Sequence, residues 1–191
     1  MEHGGPVRDD GAVRFRVSVL RGDDFVPSTG TRPLRATFVR IFERGVRHKR
    51  AMGGAAMRTA ASASTLSPAW NEYVGTVAAR GVRDTVELRV YYDGGDAAAS
   101  GGAPNELMGT TTLRVGALAE TLRCASEWGA VVPGTRRVVH LPIELCAALA
   151  RVHGGARRGE LVVALVVAEA SRGSLLDVAA RRVARERSVE V

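Results

Sequence analysis

Thr65-Leu66-Ser67-Pro68-Ala69-Trp70-Asn71-Glu72 leads into a strand that runs from Trp70 to Val77, and the rest of the chain can be read outward from it. Upstream, Arg14-Phe15-Arg16-Val17-Ser18-Val19-Leu20 alternates with Phe15, Val17 and Val19 on one side, the period-2 pattern of a half-buried strand. Leu34 to Phe42 is rich in Phe, Val and Ile and reads as a second strand, and Met57 to Ala61 as a short one. Downstream, Val86, Leu88 and Val90 alternate with Glu87, Arg89 and Tyr91 until the turn at Asp93-Gly94-Gly95. Leu107 to Val115, Arg137 to Ile143 and the apolar run Glu160 to Ala168 supply further strands, with a short helix expected over Glu144 to Arg151. Short strands at this spacing, with Gly and Pro turns and no strand-helix-strand alternation, predict an all-β fold, an antiparallel sandwich of about eight strands.

Asp93 to Pro104 is an Ala/Gly/Ser stretch that buries too little apolar area to offset the entropy of ordering it. The ends differ again. Residues 1–11 are expected to form a disordered arm and 12–170 the sandwich, with 171–191 a basic tail. In that tail Ser174 to Asp177 resembles a capping start, and Leu176, Ala180 and Val183 share a face opposite Arg181, Arg182, Arg185 and Arg187, which predicts a short helix.

The composition of the 191 residues, 46% apolar and 25% charged, is that of a globular domain, which excludes wholesale disorder and a disulfide scaffold. No stretch approaches the ~20 apolar residues of a membrane span, and Met1 to Gly11 has no secretory pattern. Cys124 and Cys146 lack a Cys-x-x-Cys spacing and read as reduced thiols, so a cytoplasmic setting is expected, with peripheral attachment to membrane. The net charge is +7, but Lys49 is the only lysine, so the excess of arginine reflects codon composition as much as a ligand.

Thr65 to Glu72 resembles the Asn-Pro-x-Trp-Asn-Glu signature of C2 domains, and Arg58-Thr59 stand where that family writes a basic residue and a threonine. Val19 to Gly22 resembles the end of the family's first strand, and Arg35 to Ile41 falls where it writes Ser-Asp-Pro-Tyr-Val-x-Val. Leu88 to Asp93 resembles the strand entering its third ligand loop, Asn105 to Gly109 matches its Asp-Asp/Glu-Phe-Leu-Gly, and Gly159-Glu160-Leu161 resembles the start of its last strand. Residues 12 to 170 carry the resemblance, with Ala117 to Pro133 as an insertion. It implies an eight-stranded antiparallel Greek-key sandwich whose loops at one end bind calcium in many members.

The calcium set that the resemblance implies has decayed. The aspartate before Pro-Tyr aligns with Ala36, and the first-loop aspartate falls near Val26 to Ser28. The paired aspartates of the third loop align with Tyr92 and Gly94, or one residue later with Asp93 and Gly95. Asp93 and Glu106, with Asp23, Asp24 or Asp96, remain as oxygen donors, too few for an ion that takes about six to eight. No cofactor is expected. For insertion into a bilayer the tips offer only Val26 and Pro27.

The strongest candidate site is basic: Arg44, Arg47, His48, Lys49 and Arg50, with Arg58 alongside and Arg40 near. Bases near an anionic surface contribute ~1 kcal/mol each, enough together for reversible docking on phospholipid or phosphoinositide headgroups. The plain alternative is a solvated turn. The sandwich face and the C-terminal helix are candidate surfaces for a protein partner. Trp70 is expected to pack in the core rather than recognise a ligand, one of Tyr91 and Tyr92 should face solvent, and His140 and His153 have no metal-ligand spacing. No nucleophile elbow, P-loop, His-Glu-x-x-His or dinucleotide fingerprint is present, so an enzyme is not expected. Nucleic acid is not expected either, since the basic run lacks interleaved aromatics. The chain is expected to be a calcium-independent C2-like docking module, or else a protein-interaction scaffold with a vestigial lipid site.

Overall fold

A computed structural model describes residues 12–28, 35–44, 57–63, 65–94, 105–126 and 131–170. In chain order these form β1 (Val13–Asp23), β2 (Thr37–Arg44), β3 (Ala69–Ala79), β4 (Thr85–Tyr92), β5 (Glu106–Leu113), α1 (Val115–Cys124), β6 (Arg136–Leu145), α2 (Ala147–Val152) and β7 (Arg157–Ala170). All neighbouring strands are antiparallel, in the order β2-β4-β5-β6-β7-β1-β3.

The sheet turns back on itself at β5 and β6, which share only Gly109↔Leu145 and Thr110↔Glu144. Gly109 permits that approach, because a Cβ there would lie 2.5 Å from the Glu144 carbonyl oxygen. The result is two layers, β2-β4-β5 and β6-β7-β1-β3, over a single core. One layer contributes Val39, Ile41, Leu88, Val90 and Met108; the other contributes Phe15, Val17, Val19, Ile143, Leu161, Val163 and Leu165. These are the inward positions of the period-2 patterns, and their burial is the main favourable term holding the layers together.

The side opposite the fold-over is closed by polar stitches. Residues Met57 to Ser62 run along the free edge of β2, with Ile41 N–H donating to Met57 O (2.9 Å), Thr59 N–H to Val39 O (3.0 Å) and Ser62 N–H to Thr37 O (2.8 Å). Across to the other layer, Ala60 N–H donates to the Glu72 carboxylate (2.8 Å) and Trp70 Nε1–H to Thr37 O (3.3 Å). Trp70 thus packs against the core and ties the layers, with its ring centroid 6.1 Å from that of Phe25.

Among the described residues there are seven strands. The eighth expected strand falls on Met57 to Ala61, which makes a single bridge, Arg40↔Arg58. The ladder goes no further because Val39 N–H donates to the Thr59 hydroxyl (3.0 Å) rather than to a backbone carbonyl. The supposed insertion contains α1, whose Val115, Ala119 and Leu122 are buried; a Cβ at Gly116 would collide with the Gly81 carbonyl, so glycine lets the helix seat on the β3–β4 turn. The expected helix near Glu144 is α2, beginning at Ala147. Val26 is not a loop tip: it is buried at 6% exposure, so it offers nothing for membrane insertion. The arm at 1–11, the tail at 171–191, most of the Gly45 to Met57 connection and residues 95–104 lie outside the described residues. Also among the described residues, no helix is long and apolar enough to cross a membrane.

Candidate functional site

Alternation along β2 puts Phe38, Arg40 and Phe42 on the face opposite Val39 and Ile41, and pairing with β4 sets them beside Tyr91, Arg89 and Glu87. Phe38 stacks on Tyr91 with centroids 5.3 Å apart and planes 12° apart. Arg58, arriving from the bridged stretch, lies 4.1 Å over the Phe38 ring, and Arg40 lies 5.8 Å from Phe38 and 5.9 Å from Tyr91. Two guanidinium groups therefore share one aromatic platform, a seat favoured by the ring quadrupole.

Neutralisation is uneven on this face. Arg89 sits over Phe42 at 4.4 Å and donates to the buried Glu87 carboxylate, which pushes the Arg89 pKa above its ordinary value and keeps it charged. Neither Arg40 nor Arg58 has a carboxylate partner among the described residues; Arg58 Nε donates to Thr59 O (3.3 Å), and Arg40 Nε is buried with no hydrogen-bond partner. A buried donor left without an acceptor is costly.

Of the basic residues expected from sequence, the structure places Arg58 on this platform and ends β2 at Arg44, in register with Thr85. Arg47, His48, Lys49 and Arg50 lie outside the described residues. The aromatic platform was missed from sequence, although the spacing Phe38-x-Arg40-x-Phe42 on a strand carries it.

The second cluster lies where β4 hands over to β5. Ala36, Tyr92, Asp93, Gly94 and Glu106 do converge there, but around an arginine that sequence comparison does not single out. Arg35 Nε and Nη2 donate to Asp93 O (3.1 and 2.9 Å), and Nη1 donates to the Glu106 carboxylate (3.1 Å). Asp93 N–H donates back to Ala36 O (2.8 Å), and Gly94 N–H donates to Asn105 Oδ1 (2.9 Å). Tyr92 is buried at 2% exposure and its hydroxyl donates to Val26 O (2.6 Å). Burial, then the Glu106 charge, pushes the phenol well above its ordinary range, so it stays protonated. Ala36 and Gly94 supply no side-chain oxygen, the Tyr92 hydroxyl is turned inward, and Glu106 is engaged by Arg35. Among the described residues, no three His, Cys, Asp or Glu side chains come together as metal ligands.

The remaining candidates have ordinary partners. His140 Nδ1 lies 3.1 Å from Glu160, and His153 Nε2 lies 3.2 Å from Pro27 O. Tyr91 is half-buried against Phe38 and Tyr92 is buried, so neither of the pair is fully open to solvent. Tyr73 is 56% exposed, its hydroxyl near Thr76 (3.0 Å).

No protein-family model matches the chain, and no curated protein matches it. Solved structures do. The first C2 domain of a plant extended synaptotagmin 1 is 19% identical over 80% of this chain and 92% of that one, with a TM-score of 0.52. A human GIVD cytosolic phospholipase A2 complex matches 84% of this chain and 17% of that one at 14% identity and a TM-score of 0.51. A pair of C2 domains from extended synaptotagmin 2 matches 86% of this chain and 43% of that one at 12% identity and a TM-score of 0.50. Antiparallel pairing throughout, one core between two layers and these matches define a C2-like β-sandwich.

Proposed function

We propose that this chain is a non-enzymatic, calcium-independent docking module that binds anionic phospholipid or phosphoinositide surfaces through the β2 face. The docking surface comprises Arg40 and Arg58 on the aromatic platform, continued by Arg44, Arg47, His48, Lys49 and Arg50. The observation that carries this reading is the pair Arg40 and Arg58, seated on Phe38 and Tyr91 with no carboxylate partner among the described residues. The rings restrain the two guanidinium groups before any ligand arrives, so less side-chain entropy is lost on binding. Calcium independence is supported by Arg35, whose positive charge stands among the oxygens of Asp93 and Glu106. The fold is proposed to be the eight-stranded Greek-key C2 sandwich, with Met57 to Ala61 as its short extra strand.

Co-sedimentation with neutral, phosphatidylserine and phosphoinositide vesicles, with calcium or chelator, tests it. Binding to anionic vesicles only, insensitive to chelator and weakened by salt, is expected. Reversing Arg47, Lys49 and Arg50 to Glu together should cost at least ~3 kcal/mol, upward of about 100-fold, at ~1 kcal/mol for each base lost. No binding by the wild-type chain at low salt sinks the proposal.

A second reading, a protein-interaction scaffold, is favoured by the outer face of the other layer. There Tyr73 on β3 and Val138 on β6 are 56% and 47% exposed, in one row with half-buried Ser18 and buried Ala164. A neutral row of this kind suits a protein better than a phosphate-rich surface.

A further inference from the structure

Arg35 is the most constrained charge at the loop end of the sandwich. Its side chain is only 16% exposed and its guanidinium lies 5.8 Å from the Tyr92 ring. It meets oxygen from two separate places: the main-chain carbonyl of Asp93 where β4 ends, and the carboxylate of Glu106 where β5 begins. The return bond from Asp93 N–H to Ala36 O closes a ring of main-chain and side-chain bonds around the same spot. Carbonyl and carboxylate oxygens drawn from separate chain segments onto one positive charge are the arrangement by which a hard cation organises loops. Here the cation is part of the chain.

We infer that Arg35 is a tethered cation that does the structural work of a divalent ion at this end of the fold, and that it excludes such an ion by occupying the oxygens and by like-charge repulsion. This inference rests on the calcium-independent part of the proposed function. It goes beyond loss of acidic ligands, since lost ligands alone leave the loop end unorganised, whereas a substituted cation keeps it organised. Without the guanidinium, the Asp93 carbonyl oxygen and the Glu106 carboxylate lose their positive partner. That incomplete pair of oxygens, with water filling the other positions, should take calcium only weakly, at ~1 mM at best.

The experiment is thermal unfolding of the full chain, wild type and Arg35→Ala, in chelator and in about 10 mM calcium chloride. Expected results are a wild-type Tm that calcium does not move and an Arg35→Ala Tm roughly 4–8 °C lower in chelator, from loss of charge-assisted bonds. Calcium should then recover about 3 °C of that loss. Arg35→Ala combined with Glu106→Gln should lose the recovery. A wild-type Tm raised by calcium overturns the inference, as does an Arg35→Ala Tm equal to wild type, or a lowered Tm that calcium leaves unchanged. If Arg35→Ala does not fold, Arg35→Lys asks the same question: it keeps the charge but loses the fork, so an intermediate Tm unmoved by calcium is expected, and a full wild-type Tm overturns the inference. Vesicle binding is read separately. Its failure would remove the docking proposal while leaving these calcium responses unchanged.

Discussion

The loop end and the β2 face both use arginine against an aromatic ring, and they do so to opposite effect. At the loop end Arg35 lies near Tyr92 and is consumed by internal oxygens, from Asp93 and Glu106. On the β2 face Arg40 and Arg58 lie near Phe38, and no carboxylate answers them among the described residues. The same side chain thus serves cohesion in one place and stands without a carboxylate partner among the described residues in the other. A charge with a built-in partner stabilises the fold, whereas one placed without a partner costs stability and is a candidate for function.

The sharpest way to break this contrast is at the platform itself. Phe38 is wholly buried between Tyr91 and Arg58, so Phe38→Ala should cost about 3–5 kcal/mol in urea unfolding. Because Arg58 loses its seat, vesicle binding by the folded fraction should also fall; undiminished binding would mean that the platform plays no part in docking.

Next in size is a pair of variants with opposite signs. Arg35→Met should destabilise by about 2 kcal/mol, because it removes charge-assisted bonds to part-buried oxygens of Asp93 and Glu106. Arg40→Met should be neutral or stabilising by up to ~1 kcal/mol, because it removes a buried donor with no acceptor, while weakening vesicle binding. Equal destabilisation by both would dissolve the distinction between the two regions.

Smaller still, Arg58→Ala should weaken binding to anionic vesicles by ~1 kcal/mol, about fivefold, with the difference shrinking at high salt and Tm barely moved.

An effect of similar size, on stability alone, is expected at Tyr92. Tyr92→Phe should cost about 1 kcal/mol near neutral pH, from the lost bond to Val26 O. Since the folded phenol titrates above its ordinary value of 10.0, the unfolded chain ionises first. Wild-type stability from this group is therefore whole below pH 10 and declines as pH rises above it. Tyr92→Phe should lack that part of the alkaline decline, measured by urea unfolding between about pH 9 and 11.

Much of the fold was legible because inward positions of its strands recur with period 2. Phe15, Val17 and Val19, and Val86, Leu88 and Val90, announce their faces by alternation alone. The signature at Thr65 to Glu72 gave Trp70 a place in the core, and its ring does pack there while Nε1–H donates to Thr37 O. The ends of elements were less legible, since β2 and β7 run past their apolar residues on backbone pairing that composition does not register. Helix α1 was overlooked inside a supposed insertion, although Val115, Ala119 and Leu122 recur at helical spacing. Val26 looked like an exposed tip because a short apolar pair in a turn carries no period, and only the fold shows it beneath Tyr92.

By itself the sequence determined a strand-rich fold, the approximate place of its strands, and how few acids stand where the resemblance puts calcium ligands. Alternation and ligand chemistry are local properties, readable from residue types and spacing. Tertiary structure alone decided which arginines are answered and which are not. Arg35 and Glu106 are 71 residues apart, and Arg40 and Arg58 meet only because Met57 to Ser62 runs back along β2. The electrostatic role of a charge is set by what stands within a few ångströms of it, and folding chooses those neighbours from distant parts of the chain.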